Sequence, residues 1–178
     1  MKVRSALIIV VVFLAIFAIA ATPAKPVNKL HELDAIGGKW QCKGTAFAFA
    51  GMPAHLVVAS VNGGWILNNK WLDMHYAETK TKENSMPFEV RGFFTYDETA
   101  KKFELGSIEN DGGYSVEESN GWEGDKLVFV GPNHMGGGAP VMNGKDTWTK
   151  KGANSLTYSF EIEDKGAWKK LIEETCTR

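Results

Sequence analysis

The stretch Pro87-Phe88-Glu89-Val90-Arg91-Gly92-Phe93-Phe94-Thr95-Tyr96 decides the fold class. In an extended chain Phe88, Val90, Gly92, Phe94 and Tyr96 share one face, with Glu89, Arg91, Phe93 and Thr95 on the other. That period of two marks a half-buried strand. The same rhythm continues outward in both directions. Asp97-Glu98-Thr99-Ala100 turns the chain into 101–109, where Phe103 and Leu105 share a face. Asn110-Asp111-Gly112-Gly113 turns it into 114–120, and Glu123-Gly124-Asp125 into 126–130. After a loop come 144–150 and then 155–163, in which Leu156, Tyr158, Phe160 and Ile162 alternate with polar neighbours. Asp164-Lys165-Gly166 leads into a last strand over 167–177.

Upstream, strands are expected over 39–50, 56–67 and 70–81. Gly63-Gly64 suggests a bulge or bend in the second. Asn68-Asn69 supplies two positive-φ positions for a tight hairpin. Leu30, Leu33 and Ile36 have helical spacing and end at Gly37-Gly38, which predicts one brief helix. About ten strands joined by short turns must form an antiparallel meander. Two unpaired edges would remain if it stayed open, so closure into an up-and-down β-barrel is the expected all-β architecture, with a two-sheet sandwich as the alternative. A barrel of this size has room for a small ligand.

The N-terminus reads as an export signal. Lys2 and Arg4 precede an apolar run over 6–21, followed by the small-residue pattern of Ala18-x-Ala20 and Thr22-x-Ala24. A retained anchor is the alternative, although the run is short of the ~20 residues that span a bilayer. The expected organisation is a signal peptide over 1–24, a segment with the short helix over 25–37, and one barrel domain over 38–178, periplasmic or secreted. The net charge of −1, without a Lys/Arg cluster, argues against nucleic acid or a membrane surface as partner.

Gly38-Lys39-Trp40, preceded by a short helix, resembles the Gly-x-Trp opening of the calycin superfamily, which includes the lipocalins. The segments Trp65-Ile66-Leu67-Asn68-Asn69-Lys70-Trp71-Leu72, Met86-Pro87-Phe88-Glu89-Val90-Arg91-Gly92 and Phe94-Thr95-Tyr96-Asp97 are similar to a bacterial, often exported, lipocalin-like family of unassigned function. The resemblance extends to the final strand, from Trp168 to Arg178. It implies a structural cation–π contact of Arg178 or Lys170 over Trp40, and it implies no catalytic residue.

In a closed meander the first and last strands are neighbours, so Cys42 and Cys176 can face each other across that seam. An even count and an oxidising compartment favour an internal disulfide over free thiols or an intermolecular bridge. Two cysteines without a nearby His do not make a metal site.

Of the four histidines, His31, His55 and His75 carry no motif. His134 and Met135 lie in Gly131-Pro132-Asn133-His134-Met135-Gly136-Gly137-Gly138-Ala139-Pro140, the longest stretch without strand patterning and a candidate lid or binding loop. Related barrels of the superfamily use a histidine for haem, which makes this pair a candidate for haem ligation, although no cofactor is expected. A flexible surface connection is the plainer reading. Gly136-Gly137-Gly138 lacks the spacing and the Lys-Ser/Thr of a phosphate loop, and no Gly-x-Ser-x-Gly elbow occurs. Glu117-Glu118 and Glu173-Glu174 alternate along strands, so one of each pair points inward or pairs with Lys.

The expected function is binding of a small apolar or amphipathic molecule inside the barrel. The wall residues are then Trp65, Tyr76, Phe88, Phe94, Tyr96, Phe103 and Tyr114, with Glu78 as a polar anchor in the cavity or at its rim. A one-residue register error would turn any of them outward. The alternatives are a cavity-based enzyme and a packed structural or interaction barrel.

Overall fold

The computed structural model describes residues 28–178. The signal segment expected over 1–24 lies outside the described residues. A 3-10 helix, Lys29–Ala35, is followed by strands β1 (Gly38–Ala46), β2 (His55–Ile66), β3 (Trp71–Glu78), β4 (Glu89–Asp97), β5 (Lys102–Glu109) and β6 (Tyr114–Ser119). Then come β7 (Trp122–Glu123), β8 (Lys126–His134), β9 (Met142–Gly152), β10 (Ser155–Asp164) and β11 (Ala167–Thr177). Every pairing is antiparallel, and β1 to β6 follow one another in order around the sheet. β6 pairs with β8, and β11 returns to β1, so ten strands close a meander barrel; β7 is a two-residue strip beside β8. Closure removes the free edges that an open sheet of this length would expose.

The seam is covalent. Cys42 and Cys176 are direct register partners in β1 and β11, with their sulfurs 2.00 Å and their Cα atoms 4.0 Å apart.

One end of the barrel is plugged. Leu30, Leu33 and Ile36 are buried, as their spacing predicts, although the helix is 3-10 rather than α. Three indoles hold it in place. The Trp40 Nε1–H donates to the carbonyls of Ile36 (3.0 Å) and Gly37 (3.1 Å), that of Trp65 to Asp34 Oδ1 (2.8 Å), and that of Trp122 to the Glu32 carbonyl (2.9 Å). Buried Trp needs such a partner for its N–H, and here three strands supply the tie. The Arg178 guanidinium sits 4.2 Å over the Trp40 ring and donates to the Gly37 carbonyl at 3.1 Å. Lys170 pairs with Glu173 instead.

Three local expectations are corrected. Gly63-Gly64 forms no bulge, because β2 keeps one register with both β1 and β3. A Cβ on Gly63 would lie 3.2 Å from the Gly37 Cα and 3.1 Å from the Met74 Cγ, so the glycine lets the plug approach the wall. The bulges lie instead in the two strands that flank β10, with Leu171 of β11 the extra residue opposite Phe160/Glu161 and Lys151 of β9 the one opposite Ser155/Leu156. The β2–β3 turn uses three left-handed residues, Leu67 (φ 49°), Asn68 (φ 59°) and Asn69 (φ 59°), rather than the two asparagines alone.

The third correction concerns the loop expected from Gly131 onward. β8 continues through Gly131-Pro132-Asn133-His134, which leaves only 135–141 as a connection. Tyr114, Ser115 and Glu118 of β6 pair with His134, Asn133 and Val130 of β8, and pairing lapses only around Pro132, which has no N–H to donate.

Candidate functional site: the barrel cavity

Beyond the plug the barrel encloses a cavity of about 480 Å³, open at the end formed by the β1–β2, β3–β4, β5–β6 and β8–β9 connections. Its inner part is aromatic. Phe94 and Trp148 line it, backed by Phe129, and the three rings meet edge to face at centroid distances of 5.5, 5.7 and 5.9 Å. Tyr158 extends this wall 5.2 Å from Trp148. Phe47, Met52, Met86, Phe88 and Met135 gather at the mouth, and Met52 and Met86 are largely exposed. Unbranched methionines at an opening adapt to more than one guest shape.

The expected wall residues divide. Tyr76, Glu78, Phe88 and Phe94 line the cavity, while Trp65, Tyr96, Phe103 and Tyr114 do not. Trp65 is bound to the plug through Asp34. Phe103 is buried at the plugged end, with Tyr96 tilted against it at 5.0 Å. Tyr114 faces outward, because β6 buries Ser115, Glu117 and Ser119 and exposes Tyr114, Val116 and Glu118. Its ring stacks on that of His134 at 4.2 Å and 9° on the outer wall. The structure therefore does not bring His134 and Met135 onto one face. His75 also points outward, Nε2 2.7 Å from Glu89 Oε1, and His31 lies 3.1 Å from Asp34.

Two acidic groups interrupt the apolar wall. In the first, the Tyr76 hydroxyl lies 3.3 Å from both Glu78 Oε1 and Glu174 Oε1. Glu78 Oε2 accepts from Asn84 Nδ2 (2.6 Å) and from the Phe88 N–H (2.8 Å), so this carboxylate pins the β3–β4 connection at the mouth. Glu174 Oε2 is buried without a partner. Burial pushes the Glu174 carboxyl up to about 7, against the hydrogen bond from Tyr76 and with the Glu78 charge adding to the rise. Burial, and then these two carboxylates, hold the Tyr76 hydroxyl far above its usual range.

The second group joins Glu109 of β5, Asp111 of the following turn, Glu117 of β6 and Asp146 of β9. Tyr158 donates to Asp146 Oδ1 at 2.5 Å, and Ser107 and Ser115 share a hydrogen bond of 2.9 Å nearby. Burial, then the charges of Asp111 and Asp146, push Glu109 up to about 7. Glu117 is fully buried against Asp146 and Ser115, and burial followed by the Asp146 charge drives its carboxyl strongly upward. Gly144 makes room for it, since a Cβ there would lie 2.9 Å from Glu117 Oε1.

The paired-glutamate pattern of the sequence locates part of this set. Glu117 and Glu174 turn inward, whereas Glu118 pairs with Lys102 and Glu173 with Lys170. Glu109, Asp146, Trp148 and Tyr158 escaped the sequence reading as site residues, although Tyr158 lies on an alternating apolar face. Among the described residues no Lys or Arg lines the cavity, and His55 at the mouth is its one basic side chain.

A Glu174 oxygen and the two cysteine sulfurs lie within 4.8 Å of one another, but sulfurs bonded to each other are not thiolate ligands, so this cluster does not fit a metal.

No protein-family model and no curated protein matches the chain. Among solved structures, the crystal structure of Rv2717c from M. tuberculosis superposes with a TM-score of 0.63 at 12% identity, over 85% of this chain and 97% of that one. At such identity the likeness is one of barrel fold.

Proposed function

We propose that the chain is an exported binding protein of calycin type that carries a small apolar or amphipathic molecule in its barrel. One observation supports this most directly: an open cavity of about 480 Å³ with a largely apolar, aromatic wall, a size and lining typical of ligand sites. A barrel serving only as a packed scaffold would fill that space with side chains. Export rests on the signal-like N-terminus and on the disulfide, a bond that persists in oxidising compartments. No helix among the described residues is long and apolar enough to cross a membrane.

The test uses N-phenyl-1-naphthylamine, a neutral dye that brightens in apolar surroundings. Saturable binding with one site per chain is expected, and Val90→Trp, at a cavity-lining position of β4, should abolish it by filling the space. Failure of the dye to saturate, or equal binding by the filled variant, would overturn the proposal.

A further inference from the structure

We infer that the cavity selects a cationic amphipath, an aromatic or aliphatic body bearing a protonated amine, which docks on the carboxyl wall formed by Glu109 and Asp146, with Glu117 behind it. This rests on the binding function proposed above and names its ligand class.

The residues lining the cavity include Glu78, Glu109, Asp111, Asp146 and Glu174 but no Lys or Arg. Glu78 and Asp111 have local duties, the first at the β3–β4 connection and the second accepting from the Gly113 N–H at 2.9 Å. Glu109, Asp146 and Glu174 have no cationic partner to match them. Behind them lies the most telling group. Glu117 is 0% exposed and lies against a second acid, Asp146, and Ser115, with no cation to match it. Two buried acids in contact share one proton at most between them, so the pair keeps negative charge in an apolar wall, and a cation is the partner that would match it. β6 is built for this wall, since it turns Ser115, Glu117 and Ser119 inward and leaves Tyr114 and Val116 to solvent.

A bare metal ion fits the wall poorly. The one set of ligand atoms among the described residues that converges within 4.8 Å is the disulfide pair with Glu174. Carboxyls spread more widely suit an ammonium group, which donates up to three hydrogen bonds in different directions. The faces of Trp148 and Tyr158 stand beside the wall, and aromatic faces attract the same charge. The ionisable lining groups include five acids and no Lys or Arg, so the wall disfavours an anionic guest.

The experiment compares octylammonium, octanol and octanoate, three probes with one chain and different heads, as displacers of N-phenyl-1-naphthylamine at pH 7.5. Octylammonium should displace the dye at concentrations at least about tenfold below octanol, with octanoate weakest, as a charge-assisted hydrogen bond in an apolar site implies. Calorimetry in two buffers of different ionisation enthalpy should show protons released when the ammonium binds and none with octanol. Glu109→Gln combined with Asp146→Asn should bring the ammonium down to the level of octanol. A single cooperative thermal transition of the unliganded variant shows that the barrel is intact.

If octanol matches octylammonium, or the variant retains the preference, this inference falls while the binding function stands. If the dye itself does not bind, the binding function falls and the inference with it.

Discussion

Tyr158 and Asp146 meet at 2.5 Å across β10 and β9, a phenol donating to a carboxylate that is itself buried. Burial raises both groups, so the phenol stays neutral and the Asp146 carboxyl is held above the ordinary carboxylate range. Tyr158→Phe leaves that acceptor without its donor. The expected loss is about 1–3 kcal/mol, read as a lower urea midpoint with an unchanged m-value. A Tyr158→Phe protein as stable as the wild type would show that water replaces the hydroxyl.

The carboxyl groups make stability depend on pH in an unusual direction. Glu109 and Glu174 titrate near 7 in the folded chain against an ordinary value of 4.5. Between these limits the folded state holds protons that the unfolded state has released, so stability is fully present below about 4.5 and falls as pH rises through 7. Each group contributes up to about 3 kcal/mol by its shift alone, and solvent in the open cavity reduces this. Asp73, Asp97 and Asp164, which are lowered by hydrogen bonds, act below pH 4 and do not oppose the trend in this window. The melting temperature should therefore be higher at pH 5 than at pH 8, and Glu109→Gln or Glu174→Gln should flatten the difference. A melting temperature that climbs over the same range would contradict this assignment.

The covalent seam closes a loop with a sequence separation of 134. Reduction, or Cys42→Ser with Cys176→Ser, should cost about 3–5 kcal/mol on the loop-entropy account. Denaturant titrations with and without reductant measure this directly, and coincident curves would show that the ladder alone holds the seam.

Arg178 reaches back over Trp40 and donates to the Gly37 carbonyl, so it clamps the plug from the chain's far end. Arg178→Ala should lose about 1 kcal/mol, with faster hydrogen exchange, among the described residues, confined to 28–40. Arg178→Lys should recover only part of it, because a lysine cannot stack on Trp40 and also reach the carbonyls of both Gly37 and Ala153, as the guanidinium does. Uniformly faster exchange throughout the barrel would argue against a local clamp.

Two glycines separate close approach from mere flexibility. A Cβ on Gly131 would lie 2.2 Å from the Val116 carbonyl oxygen, whereas one on Gly64 meets nothing within 4 Å. Gly131→Ala should destabilise by about 2–4 kcal/mol, through the backbone shift it forces where β6 meets β8. Gly64→Ala should change stability by less than about 0.5 kcal/mol. Equal effects in thermal melts would mean that the β6–β8 junction yields.

Strand number and order were legible because each strand alternates and each turn carries its own Gly, Asn or Asp signal. The half-buried face of β4 was read in register, and so were Tyr76 and Glu78 of β3. Gly131-Pro132 misled, since the dipeptide that signals a turn here sits inside a strand where the ladder lapses. β6 misled more deeply. Tyr114 and Val116 are its apolar residues, yet they face solvent, because the wall opposite β9 is polar and takes Ser115, Glu117 and Ser119. Hydrophobic alternation finds the inside of a barrel only where that inside is apolar. The same reversal leaves Ile108, Tyr114, Val116 and Val130 exposed together on the outside of β5, β6 and β8.

The pairing of β1 with β11 has a kinetic consequence. β2 covers one edge of Gln41 to Ala46, but the other edge finds its partners in residues 172–177, far along the chain. Until β11 has left the ribosome, β1 keeps an open edge and the cavity has no complete wall. Such distant contacts slow folding, and here they defer closure until β11 has been made. A chain whose barrel stays open until then can still be threaded through a narrow passage.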